Sequence, residues 1–272
     1  MYISGSIGIT ILRNLKNNKR IILFADDHSK KVYCDDKTLD QHYEIKEFLE
    51  KELENGQQIL LEEVPREDFN LEELWPESPH TQDLKNFFLN EPRVTGIDIR
   101  PFLIPFSWNI LDDNQDENIK NIPITEYLQL LDSFFNLQGN FFNEKIYPSI
   151  KQIKIKNSGL GKNLNDINQK YIKMKKTIDP TKTIIYYFEN DTGLFNKIDE
   201  ICDNIMEFYT LLNVFTNNRI SIIHAGLFHS NNILNWLTTD YNFEILYQQG
   251  TNTYPTKKDY KSCVHINIKT KS

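Results

Sequence analysis

Arg20-Ile-Ile-Leu-Phe-Ala25 is a short apolar run between polar flanks, and Asp26-Asp27-His28-Ser29 follows it without a break. A continuous run of this length predicts a strand buried on both faces. Downstream, Asp40 to Asn55 carries Tyr43, Phe48, Leu49 and Leu53 at helical spacing, with Gly56 placed as a helix stop. Gln58-Ile-Leu-Leu61 is a second buried run and ends in Glu62-Glu63. Strand, helix, strand in this order predicts a parallel pair joined by a helical crossover.

Outward from that unit the pattern changes twice. Glu67 to Leu89 reads as loop and short helices broken by Pro76 and Pro79, and Arg93-Val-Thr-Gly-Ile-Asp-Ile-Arg100 reads as a third strand stopped by Pro101. Ile124–Leu137, Phe141–Lys156 and Leu164–Ile178 have helical apolar spacing, and Asp112 to Asn121 is a polar, acidic link. Lys182 to Phe188 fits either a strand or a helix, and Asp199 to Asn217 fits a helix. Strand signals return at Arg219-Ile-Ser-Ile-Ile-His-Ala225, followed by a turn, a helix over Asn231–Thr239 and a strand at Phe243–Tyr247. Cys263 to Ile268 alternates as an edge strand does. Met1 to Arg20 reads as polar, with no secretory pattern. The expectation is a single α/β domain with a mostly parallel sheet, built from β-α-β units at the two ends of the chain. Its core covers residues 1–111 and 180–272, and a helical insertion or cap covers about 112–179.

The 272 residues include 31 Lys and Arg against 38 Asp and Glu, a net charge of −7. That balance argues against a nucleic-acid binder, which carries a basic face. Hydrophobic residues at 39% exclude wholesale disorder, and no run approaches the roughly 18 apolar residues of a membrane helix. Asn, Ile and Lys number 30, 34 and 25. All three have A/T-rich codons, which points to an A/T-rich genome and devalues any single Asn or Lys as a signal. Cys34, Cys202 and Cys263 are odd in number and far apart. With no export signal, the expectation is three reduced thiols in a cytoplasmic protein. Gly159-Leu-Gly-Lys-Asn163 lacks the preceding strand and the spacing of a P-loop.

In open α/β sheets ligands bind beyond the carboxyl ends of the strands. That rule selects Asp26, Asp27 and His28; Glu62 and Glu63; Asp98 and Arg100; and His224 and His229. Each has a plain structural reading: a helix cap for Asp26 or Asp27, a solvated turn for Glu62 and Glu63, an ion pair for Asp98 and Arg100, a core histidine for His224. Their convergence on one rim is the signal. His42, His80 and His265 read as structural, His80 because it lies in the proline-broken stretch.

Taken in order, Ala25-Asp-Asp-His28, a strand ending in Glu62, Gly96-Ile-Asp-Ile-Arg100, and Gly226-Leu-Phe-His229 before a Leu-rich helix resemble the TraB/Tiki/ChaN/erythromycin-esterase superfamily. The likeness covers roughly residues 20–100 and 219–248. Ala25 stands where that family has Gly, and Asp26 where several members have Glu. The resemblance implies a hydrolase acting on an ester or amide, with a small-molecule or peptide as substrate. His28, Glu62 and His229 would be the catalytic set, and Asp26, Asp27, Glu63, Asp98, Arg100 and His224 would bind or orient. The same His28, Glu62 and His229 would hold a divalent metal in members that use one; in others a His alone activates water. Two further readings stand beside this one. The first is a catalytically degenerate member that binds a ligand or assembles with other proteins. The second is a metallophosphoesterase, suggested by Asp26-Asp27-His28 but lacking the later signatures.

Overall fold

A computed structural model describes residues 1–27, 34, 42–65, 79–111, 117–139, 142–153, 159–250 and 263–266. The chain is mixed α/β and divides into two compact units. The first takes in Met1–Pro65, Glu77–Ile97 and Asn217–Ser272; the second takes in Asp98–Thr216.

The first unit is organised by a six-stranded sheet. Its strands are β2 (Gly8–Asn14), β3 (Arg20–Asp26), β5 (Gln58–Leu61), β6 (Val94–Gly96), β7 (Ser221–Gly226) and β8 (Phe243–Gly250), in the order β6-β5-β7-β3-β2-β8. Contacts β6–β5, β5–β7 and β7–β3 are parallel, whereas β2 is antiparallel to both its neighbours. Five strands therefore run one way and β2 alone is reversed. A second sheet of three short strands is ordered β4 (His42–Glu44), β1 (Tyr2–Ser4), β9 (Cys263–His265).

Three features depart from the sequence-based expectation. The polar-looking amino terminus holds β1 and β2: Ile9, Ile11 and Leu12 are buried, and the Asn14–Lys19 turn, with Asn18 at φ 58°, returns the chain antiparallel into β3. The β-α-β units read at the two ends of the chain do not keep their strands side by side but interleave them, because β7 sits between β3 and β5, and β8 lies beyond β2. Helical or strand periodicity carries no information on strand order, so the sequence could not show this. The third strand ends at Gly96. Ile97 N–H still bonds Leu61 O at 2.8 Å, but Asp98 Oδ1 then accepts from Arg100 N–H at 3.2 Å, and Arg100–Phe102 turns into a 3₁₀ helix. Pro101 has no N–H with which to extend a ladder.

In-register partners on parallel strands point the same way. One face of the sheet therefore carries Ile22, Phe24, Ile222, Ile59, Leu61 and Val94, which share a core with α1 (Ile45–Glu54) and α2 (Pro79–Phe87) through Phe48, Leu49, Leu53, Leu84 and Phe88. Helix α1 starts in a Glu44/Glu47 capping box and stops at Gly56, whose φ of +78° suits glycine. The opposite face, carrying Ala25, receives α10 (Leu227–Thr239): Leu227 packs with Ile7 and Ala25, and Ser230 Oγ donates to Ala225 O at 2.9 Å.

The second unit is helical: α3 (Glu117–Lys120), α4 (Ile124–Tyr127), α5 (Gln129–Phe135), α6 (Tyr147–Ile153), α7 (Gly159–Lys175), α8 (Ile184–Asn190) and α9 (Thr192–Thr216). The ambiguous 182–188 stretch resolves as helix α8. Trp108, Tyr127 and Phe195 form an aromatic cluster in this unit, and the buried Tyr127 hydroxyl donates to Phe106 O at 2.9 Å.

The expectation of three free thiols is corrected. Cys34 and Cys263 are joined by a disulfide, and Cys202 alone is free and buried. Distance along the chain misled here: the partners are 229 residues apart in sequence, yet their Cα atoms lie 4.9 Å apart. No helix among the described residues is long and apolar enough to cross a membrane.

Candidate functional site

The parallel strands bring two acid–histidine groups to the carboxyl end of the sheet, one on each face. The first belongs to the α10 face. Glu62 follows β5 and its N–H bonds His224 O at 3.0 Å. Its Oε2 accepts from the backbone N–H of Gly226, the residue preceding α10 and 164 positions away in sequence. The carboxylate thus sits at the amino end of a 13-residue helix, where N–H groups and the helix dipole favour negative charge. Its other oxygen, Oε1, lies 3.6 Å from His229 Nε2, in the first turn of the same helix. Both side chains are buried.

The second group is on the α1/α2 face. His224 is in register with Phe24 and with Leu61, so it points into that core, and Asp26, two residues beyond Phe24, points the same way. Helix α2 delivers His80. The ligand-bearing atoms of Asp26, His80 and His224 all lie within 4.8 Å of one another, and all three residues are buried. His80 Nε2 is 3.6 Å from Asp26 Oδ2, and the two imidazole rings meet edge to face at 5.5 Å. This buried Asp/His/His group could hold a metal ion.

The other expected residues are placed as follows. His28 lies outside the described residues. Asp27 is half-buried directly after β3, and Glu63 is buried after Glu62. Asp98 and Arg100 belong to the second unit, where Arg100 donates twice to Asp98, at 2.8 and 2.7 Å, and once to Asp203 Oδ1 at 3.0 Å. The guanidinium is held by two carboxylates, the geometry of an ion-pair network. A cavity of about 210 Å³ touching Arg20, Ile22, Glu52 and Ile220 opens at the amino ends of β3 and β7, the far end of the sheet from both histidine groups.

His80 is the residue whose reading as structural changes most. It lies in the first turn of α2 and is buried, not in a broken loop. A usable signal was present: His80, Leu84 and Phe88 recur every four residues, the stripe that seats a helix on a core. Leu84 and Phe88 are indeed in the core, and His80 heads the same stripe. The proline at position 79 masked it, although proline is well tolerated in a first helical turn.

Comparison with protein-family models, with curated proteins and with solved structures finds no match.

Proposed function

We propose that the chain is a hydrolase of the TraB/Tiki/ChaN/erythromycin-esterase type, whose Glu62–His229 pair activates water for attack on an ester or amide carbonyl. One observation carries the reading: Glu62 reaches both the Gly226 N–H and, at 3.6 Å, the His229 imidazole. The strand-end Glu and the Gly-x-x-His segment that opens α10, distant in sequence, thereby form one unit. A carboxylate beside an imidazole sets its orientation and stabilises the imidazolium formed when it takes a proton from water. In this reading His28, which the resemblance assigns to the same catalytic set, takes part, and a small ester, amide or peptide is the substrate. A divalent metal held by His28, Glu62 and His229 would supply a Lewis acid and a more acidic water.

The test uses the full chain with a panel of chromogenic esters and amides. His229→Gln and Glu62→Gln are expected to lower turnover by about 10²–10⁴-fold, the usual range for a lost general base, with unchanged circular dichroism. Wild-type turnover no higher than that of His229→Gln across the panel would leave a chain that binds without reacting.

A further inference from the structure

We propose that Asp26, His80 and His224 form a binding site for a divalent transition metal, with Zn²⁺ the best match to the donors. This site shares no residue with the Glu62–His229 pair and does not rest on the hydrolase reading.

Two imidazoles and one carboxylate make a borderline-soft donor set that suits Zn²⁺, Co²⁺ or Fe²⁺, while Ca²⁺ and Mg²⁺ prefer all-oxygen sites. The three donors come from three separate elements: the end of β3, the middle of β7 and the first turn of α2. Their side chains are almost entirely withdrawn from solvent, with exposures of 2% for Asp26, 6% for His80 and 3% for His224. Around them the same sheet face is aliphatic and aromatic. Burying such groups in an apolar core is costly unless something satisfies them.

His80 shows what is unsatisfied. Its Nε2 is buried and makes no hydrogen bond among the described residues, while pointing to within 3.6 Å of Asp26 Oδ2. A buried nitrogen left without a partner bears its desolvation cost uncompensated, and a metal ion between it and the carboxylate would remove that cost. Zn²⁺ bonds of about 2.0–2.2 Å in tetrahedral geometry set ligand atoms about 3.3 Å apart. The 3.6 Å His80–Asp26 distance is close to this, and the widest allowed separation, 4.8 Å, requires side-chain closure by about 1.5 Å. Gly5 lies beside the ring: its φ is +92°, and a Cβ there would crowd Ile45 Cγ2 at 2.8 Å while making ordinary contact, 3.6 Å, with His80 Cε1. Three protein ligands leave one tetrahedral position for water or another ligand.

The probe is Co²⁺ titrated into chelator-treated full-length protein, read by the visible ligand-field bands of the tetrahedral ion. The expected result is saturable, stoichiometric binding that Zn²⁺ displaces. Asp26→Asn and His80→Ala should each weaken it by at least about 100-fold, and His42→Ala should leave it unchanged. His80→Cys should add a thiolate-to-cobalt charge-transfer band, which reports ligation even if the other variants fold poorly. Absence of saturable binding overturns the proposal. So does binding that His229→Gln abolishes while every His80 variant retains it, since that places the metal with Glu62 and His229 and leaves the hydrolase reading intact.

Discussion

Asp199, on α9, is a carboxyl whose protonation the fold controls. Burial pushes its carboxyl up to about 6, and the like charge of Asp203 acts in the same direction; the Trp108 indole N–H and Arg100 pull the other way without prevailing. A carboxyl that holds its proton more tightly when folded favours the fold where it is protonated. That contribution is complete below the ordinary aspartate value of 3.8 and is lost as pH rises through about 6. Asp199→Asn keeps an oxygen for Trp108 and removes the titration. Urea unfolding should therefore show the variant gaining on wild type between about pH 4 and pH 7. A pH-independent difference between the two would contradict the assignment. At the same scale, Arg100, read from sequence either as an ion-pair partner of Asp98 or as a binding residue, is also held by Asp203 on α9, which completes a network that the Asp98-x-Arg100 spacing only half reveals.

Among the elements, β6 explains the glycine of the Gly96-Ile-Asp-Ile-Arg100 stretch by packing alone. A Cβ at Gly96 would lie 2.8 Å from Glu63 O, 3.0 Å from Pro65 N and 3.1 Å from Pro65 Cα. All three are backbone atoms and cannot swing aside. Gly96→Ala should cost about 1–3 kcal/mol of stability, the usual penalty for overpacking, and should also displace the chain leaving Glu62. Chemical denaturation measures the first effect; stability equal to wild type would show that the loop after β5 yields freely. Helix α2 teaches a complementary lesson. Leu84, and Phe88 directly after its last residue, anchor it to the core, and that anchoring carries His80 to Asp26 and His224.

Across the whole molecule, the Cys34–Cys263 disulfide closes most of the chain into one covalent loop. Cross-links of this span restrict the unfolded chain by about 5 kcal/mol in the chain-entropy account, and measured effects are usually about 2–4 kcal/mol. Cys34→Ser with Cys263→Ser should lower stability within that range, and reductant should lower wild-type stability to the same level. Denatured without reductant, the wild-type chain should yield one titratable thiol, that of Cys202. Three thiols would show the bond does not form. Such bonds persist in oxidising compartments and are rare where glutathione keeps thiols reduced.

The sequence by itself determined the α/β character, the strands read at 20–25, 58–61, 219–225 and 243–247, the start of the one read at 93–100, and the positions of Glu62 and His229 just beyond strands. The reason is local: a buried parallel strand is written as a short continuous apolar run, and the polar residues just beyond it land at one edge of the sheet. Periodicity also placed the helices of the middle stretch, although it left 182–188 undecided. Tertiary structure alone decided the strand order, the hidden β2, the disulfide and the split of the histidines between two faces. Which strand lies beside which depends on how the whole chain packs, and the face a residue joins depends on register: Phe24 and His224 pair, so His224 turns toward α2 and away from His229. His80 stood at the boundary between the two kinds of knowledge. Its stripe with Leu84 and Phe88 was legible, but its nearness to Asp26 required the fold to bring α2 down onto the ends of β3 and β7.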